Sequence, residues 1–177
     1  MLKSRIMAVR EIRKYPDTIL GKKTAPVDAI DGAIHRLIDD MVDTMHAAPG
    51  VGLAANQVGV PVQVAIIDLS AQKEYSRHPL IVLINPEILT TKGSVIEEEG
   101  CLSIPEFVEK ITRAAMVTVR AQDRSGAVFE LEAEGLLAKA LQHEIDHLNG
   151  MLFVDRLSQL KRNIFRRKYR KTVLQKA

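Results

Sequence analysis

The segment HEIDH, residues 143–147, sets two imidazoles four positions apart with a carboxylate beside the first. On a helix this spacing puts His143 and His147 on one face, one turn apart, where both can bind one cation. Glu144 then lies about 100° round the axis, beside the ion rather than on it, placed to move a proton. From the His and Glu content of the chain, the chance expectation for this pattern is about 0.01. A pair of core histidines is the weaker explanation.

Two histidines do not complete a catalytic metal site, which takes three protein ligands and an open position. The metzincin pattern needs a histidine six residues after His147, where this chain has Phe153. No glutamate follows Glu144, and the last acid is Asp155, so a downstream glutamate ligand is excluded as well. The third ligand must lie upstream. The candidates are Cys101, His35, His46, His78 and several carboxylates, and the sole cysteine has the best chemistry because thiolate binds such metals strongly. Its setting, EEEGCLSIP, crowds three glutamates against it, which is costly for a thiolate unless a cation is held there. A third unusual stretch, GVGLAANQVG, supplies glycines that let the backbone approach a neighbour closely, and Gln57 could offer an amide N–H to an oxyanion. It lacks the lysine of a phosphate-binding loop.

The elements that must position these groups are readable from periodicity. Residues 28–47 form an expected amphipathic helix, with Ile34, Leu37, Ile38, Met41, Val42 and Met45 on one side and Asp39, Asp40 and Asp43 on the other. PVQVAIIDLS and PLIVLINPEIL are expected strands, with a polar loop, AQKEYSRH, between them. MVTVRAQDRSGAVFELEAEG alternates on both sides of DRSG, a hairpin turning at Ser125 and Gly126. From Gly135 the period becomes helical, with Leu136, Ala140, His143 and His147 on one face, Leu137, Leu141, Glu144 and Leu148 on the next, and a stop at Asn149 and Gly150. A basic helix is expected over about 158–175, with Leu160, Ile164, Phe165, Tyr169 and Val173 as its apolar positions. The fold class is α+β: antiparallel and mixed strands wrapped around a central helix that bears HEIDH, with a helix towards each end of the chain.

Composition sets the outer bounds. A chain of 177 residues, 46% hydrophobic and 27% charged, suits one globular domain over 1–177. One cysteine excludes an internal disulfide. The N-terminal stretch is interrupted by charges and has no apolar signal core, so a cytoplasmic location is expected. The longest uncharged run, residues 44–67, is broken by prolines, glycines and amides and is no membrane helix. Residues 161–177 hold eight Lys or Arg and no acid, leaving 17 basic against 22 acidic residues in the rest. The basicity belongs to the tail, which suits an acidic partner, nucleic acid or a membrane surface.

Taken in order, GVGLAANQ (50–57), EGCLS (99–103) and HEIDH (143–147) resemble the three motifs of the peptide deformylase family, and the likeness extends along nearly the whole chain. The resemblance implies an enzyme that removes the formyl group from N-formylmethionyl peptides and releases formate. It implies Cys101, His143 and His147 as metal ligands, with Fe(II) as the native ion and Zn or Ni able to replace it. It implies Glu144 as the general acid/base, with the Gln57 side chain and the Leu102 N–H as oxyanion donors. A pocket for one unbranched apolar side chain is expected between Leu136 and Ala140 on the helix and Val51 and Gly52 opposite, with the stem of Lys139, rather than its charge, packing there. Family members are thought to work at the ribosome exit, so the basic helix is expected to meet ribosomal RNA and the chain to be a monomer. The competing reading is a metal-stabilised module that docks on ribosome or RNA without turnover. Two departures from the family pattern bear on the substrate: Phe107 and Val108 stand where many bacterial members have an arginine, and Asn56 where threonine is frequent.

Overall fold

The computed structural model describes residues 8–176, with side chains described as far as Thr172. Helix α1 spans Gly32–Ala47 and begins where Asp31 caps it, the carboxylate accepting from the N–H of Ala33 at 2.8 Å and of Ile34 at 3.0 Å. The start expected at residue 28 is too early because Val27 is tied elsewhere. Its N–H and C=O both bond to the Asn85 side chain, at 2.8 and 2.9 Å.

The seven strands are β1 Gly52–Ala54, β2 Val64–Ile67, β3 Ile81–Lys92, β4 Val95–Cys101, β5 Ile104–Arg113, β6 Met116–Gln122 and β7 Val128–Glu134. Five form a sheet in the order β1-β2-β3-β6-β7, while β4 and β5 pair only with each other. Every pairing between these strands is antiparallel; the parallel share of the expected mixture is one isolated bridge, Ala25 to Val62. The polar loop contains a single 3-10 turn, Lys73–Tyr75.

Strand β2 shows why the apolar run VAII is a strand rather than a buried helix turn. Alternate residues face opposite ways, so Val64 and Ile66 join the cluster of α1 while Ala65 and Ile67 join that of the central helix. All four are fully buried. On the α1 side Leu37, Ile38, Met41 and Met45 close the layer, each contributing about 1.5–3 kcal/mol relative to exposure.

The central helix, α2, spans Gly135–Leu148, and every residue from Leu137 to Leu148 except Lys139 is buried. It stops at Asn149 and Gly150 as the sequence suggests. Gly150 has φ +74°, and a Cβ there would lie 2.9 Å from the Gly21 carbonyl oxygen, so the position needs glycine on two counts. Helix α3, Gln159–Lys176, follows a 3-10 turn at Phe153–Arg156. Of its expected apolar positions Phe165 and Tyr169 are buried, but Leu160 is 69% exposed, since it lies about 140° round the helix axis from Phe165. The Val173 side chain lies outside the described residues. Among the described residues no helix is long and apolar enough to cross a membrane.

Candidate metal centre

Three chain segments converge on one point. Helix α2 presents His143 and His147, whose Nε2 atoms lie 3.1 Å apart. The end of β4 brings Cys101, with Sγ 3.2 Å from His147 Nε2. The 3-10 turn Ala55–Val58 brings Gln57. The Cys101, His143 and His147 donor atoms all lie within 4.8 Å of one another. A tetrahedral ion bound by one sulfur at about 2.3 Å and two nitrogens at about 2.05 Å would hold N···N near 3.3 Å and N···S near 3.6 Å. The donors already stand at nearly that spacing, and a thiolate with two imidazoles is a donor set suited to Fe(II), Zn or Ni. The residues present therefore fit a divalent transition metal.

The electrostatics agree with that fit. Burial pushes the Cys101 thiol up, but the His147 and His143 imidazoles overcome it and hold the thiol well below its ordinary range. Burial pulls His143 down, yet Cys101 and Glu99 leave it well above the usual imidazole value. Glu144 behaves differently. Burial drives its carboxyl up to about 7, with both imidazoles pulling against this and Cys101 and Glu99 adding to it. Its Oε2 is buried with no hydrogen-bond partner among the described residues, which is unusual for a carboxylate unless a ligand completes it.

The glycines of GVGLAANQ have a steric role here. A Cβ on Gly52 would run into the Glu144 carboxylate, and one on Gly50 would come within 2.6 Å of Leu102 Cδ1. Gln57, 2% exposed, is locked by its own turn. Its Oε1 accepts from Ala54 N–H at 2.9 Å, and Nε2 donates to Ser103 Oγ at 3.0 Å and approaches Cys101 Sγ at 3.7 Å. The two amide hydrogens thus point to Ser103 and, over a long contact, to the Cys101 sulfur. Leu102 lines the same cavity, with its carbonyl held by Lys14 Nζ at 2.7 Å.

That cavity measures about 400 Å³ and is bordered by every residue expected for the substrate pocket: Val51, Gly52, Leu136, Lys139 and Ala140. Lys139 borders the cavity while its ammonium has partners of its own, with Nζ 3.1 Å from a Glu97 carboxylate oxygen and 3.3 Å from the Glu98 carbonyl. Of the other candidate ligands, His46 lies 2.8 Å from Asp68, His35 accepts from Arg124 and His78 rests against Tyr75. None of the three joins the cluster.

Sequence reasoning missed the groups that hold the ligands. Glu99, the third glutamate of the crowded trio, does not face the thiolate unpaired. It accepts from Arg113 at 2.5 and 2.9 Å and sits 2.6 Å from His143 Nδ1. Arg113, 3% exposed, reaches across to Asp146 on α2 at 2.5 Å, and Arg156 meets the same carboxylate at 2.6 and 2.7 Å. This fixes the His143 ring and its tautomer. Asn56 adds a bond of 2.6 Å from its amide to the His147 carbonyl. The position of Glu99 two residues before the candidate ligand Cys101 gave a signal for it; nothing local marked Arg113.

The polypeptide deformylase family model matches residues 9–163. The chain belongs to that family. A peptide deformylase of Syntrophobacter fumaroxidans is 54% identical over 93% of this chain and 96% of its own length, and that of Thermodesulfovibrio yellowstonii is 49% identical over 93% and 98%. Among solved structures, the Legionella pneumophila deformylase superposes with a TM-score of 0.87 at 48% identity, covering 96% of this chain and 98% of that one. A deformylase of Acinetobacter baumannii bound to Met-Ala-Ser gives a TM-score of 0.79 at 36% identity, covering 86% of this chain and 100% of that one. Membership makes the chain an enzyme of protein biosynthesis, a hydrolase of a metalloenzyme family with a Cys/His/His site. The reading as a docking module without turnover finds no support among these relatives.

Proposed function

We propose that the chain acts as one catalytic unit that removes the formyl group from N-formylmethionyl peptides, with Cys101, His143 and His147 holding a divalent metal, natively Fe(II), replaceable by Zn or Ni. The observation that carries this is the thiolate and two imidazoles spaced for one ion, beside a buried carboxyl poised at about 7. A cation in that cradle supplies Lewis acidity and brings the pKa of water toward ~7. Glu144 takes a proton on its unpartnered Oε2 as water attacks the formyl carbon, and returns it to the departing amine. The Gln57 side-chain amide, which can turn the hydrogen of its long Cys101 contact to the substrate, and the Leu102 N–H stabilise the tetrahedral oxygen, each typically worth about 3 kcal/mol in sites of this kind. Val51, Gly52, Leu136, Ala140 and the Lys139 stem receive the methionine side chain. The Met-Ala-Ser bound to the Acinetobacter relative has the chemistry of a deformylated product, which supports this assignment.

The test is formate release from formyl-Met peptides by protein loaded anaerobically. Glu144→Gln is expected to lower kcat by about 10²–10⁴ while metal content stays unchanged; full activity in that variant would refute the role. A monomeric cytoplasmic enzyme is the accompanying reading. A second reading concerns α3, whose Arg166, Arg167, Lys168, Arg170 and Lys171 form an exposed basic face suited to ribosomal RNA. Removal of residues 161–177 should then abolish a salt-sensitive association with ribosomes.

A further inference from the structure

The described part of α3 buries only two side chains, Phe165 and Tyr169, spaced one turn apart. Both meet the same ring. Phe107 packs edge-on to Phe165 with centroids 5.1 Å apart and against Tyr169 at 5.5 Å. Tyr15 closes the cluster from the other side, at 5.4 Å from Phe165 and 5.2 Å from Tyr169. Four of the seven aromatic residues in the chain therefore gather where α3 docks. Phe107 also lines the cavity that holds the metal centre, so the contact that anchors the helix and the wall of the substrate site are one side chain. Glu106, just before it, has φ +66°, a left-handed backbone uncommon outside glycine, which fixes the chain direction at this wall. Tyr15 is fastened in turn, its N–H donating to the Ser103 carbonyl at 2.8 Å.

We propose that Phe107 is a specificity-determining residue for the apolar side chain that follows formyl-methionine, and that Phe165 and Tyr169 of α3 are positioning residues that hold it in place. The proposal rests on the deformylase reading of the cavity. Val108, beside Phe107 in the cavity lining, pairs with Gly100, one residue from Cys101, and is 59% exposed. Phe107, Val108 and Leu102 thus form an apolar stretch of the wall of the same cavity that Cys101, His143 and Glu144 border. An apolar residue in second place buries surface against it, and glycine does not.

The test uses the full metal-loaded chain and compares formyl-Met-Leu with formyl-Met-Gly peptides. Phe107→Ala should cut the KM preference for the leucine peptide about three- to tenfold, with kcat changing less than KM. Phe165→Ala, which touches no substrate, should cut it by a similar factor; the double variant should lose no more than either single one, and Phe165→Leu should restore most of the preference. Retention of the wild-type preference in folded Phe107→Ala or Phe165→Ala overturns the proposal. If Phe165→Ala fails to fold, Tyr169→Leu carries the comparison, where a partial loss supports the proposal and wild-type preference overturns it. Calorimetric titration with the products Met-Leu and Met-Gly gives the same comparison without turnover. A wild type that releases no formate but prefers Met-Leu refutes the functional reading alone; equal binding of both products by the wild type overturns the wall itself.

Discussion

Helices α2 and α3 sit at opposite extremes of burial. Every residue of α2 from Leu137 onward except Lys139 is buried, including Gln142, His143, Glu144, Asp146 and His147. In α3 the described side chains are largely exposed and basic, and two rings hold the helix down. Five polar groups in a buried helix are tolerable only if each is satisfied. Gln142 bonds to both backbone groups of Ala114, Asp146 to two arginines and His143 to Glu99. Two atoms are exceptions, Glu144 Oε2 and His147 Nδ1. Of these, the carboxylate belongs to a residue that borders the cavity and marks where a ligand completes the structure, whereas charge on a solvated helix carries no such information.

The sharpest way to break the contrast is Arg113→Met. Glu99 would then face Asp146 without the cation between them, and loss of one member of a buried ionic network costs about 3–5 kcal/mol; urea denaturation of the metal-free variant against wild type measures it. Acid should work on the same network. Burial raises the Glu99 carboxyl, but hydrogen bonds from His143 and Arg113 outweigh it and hold it at about 2, against an ordinary 4.5. Because the folded value is the lower one, its stabilisation is complete above about pH 4.5 and is lost as pH falls toward 2, on the order of 3 kcal/mol. Chemical denaturation from pH 6 to 2.5 should follow that fall, which Glu99→Gln should flatten. Gly52→Ala is expected to lower kcat about 10²-fold by displacing the Glu144 carboxylate, with metal content retained. On α3, Arg167→Gln should shift stability by under about 0.5 kcal/mol; a larger change would mean that the basic face is structural after all.

The candidate metal cluster was legible because its first two members share one helical face, a local geometry that spacing alone specifies, and because a single cysteine leaves little choice of thiolate for the third. Gly52 and Gln57 could be singled out by type, although the reason for Gly52, the Glu144 carboxylate pressed against it, could not. The β4–β5 pair escaped notice since Glu97, Glu98 and Glu99 disfavour a strand and its faces do not alternate cleanly. Arg113 was invisible for a different reason. It is 14 residues from Glu99 and 33 from Asp146, and an arginine of ordinary appearance gives no sign of which carboxylates the topology will bring to it. The gathering of residues 15, 107, 165 and 169 is likewise a product of tertiary folding, unreadable from any one segment. The partners of the Lys139 ammonium, Glu97 and the Glu98 carbonyl, sit on that unforeseen hairpin.

One consequence follows from β4 and β5 standing apart from the five-stranded sheet. The thiolate arrives on a separate ribbon, so a cation shared with the two imidazoles is a rivet across the seam between ribbon and body. Loading it should slow amide deuteration over residues 95–113 while leaving β2, sealed between two helices, as it was.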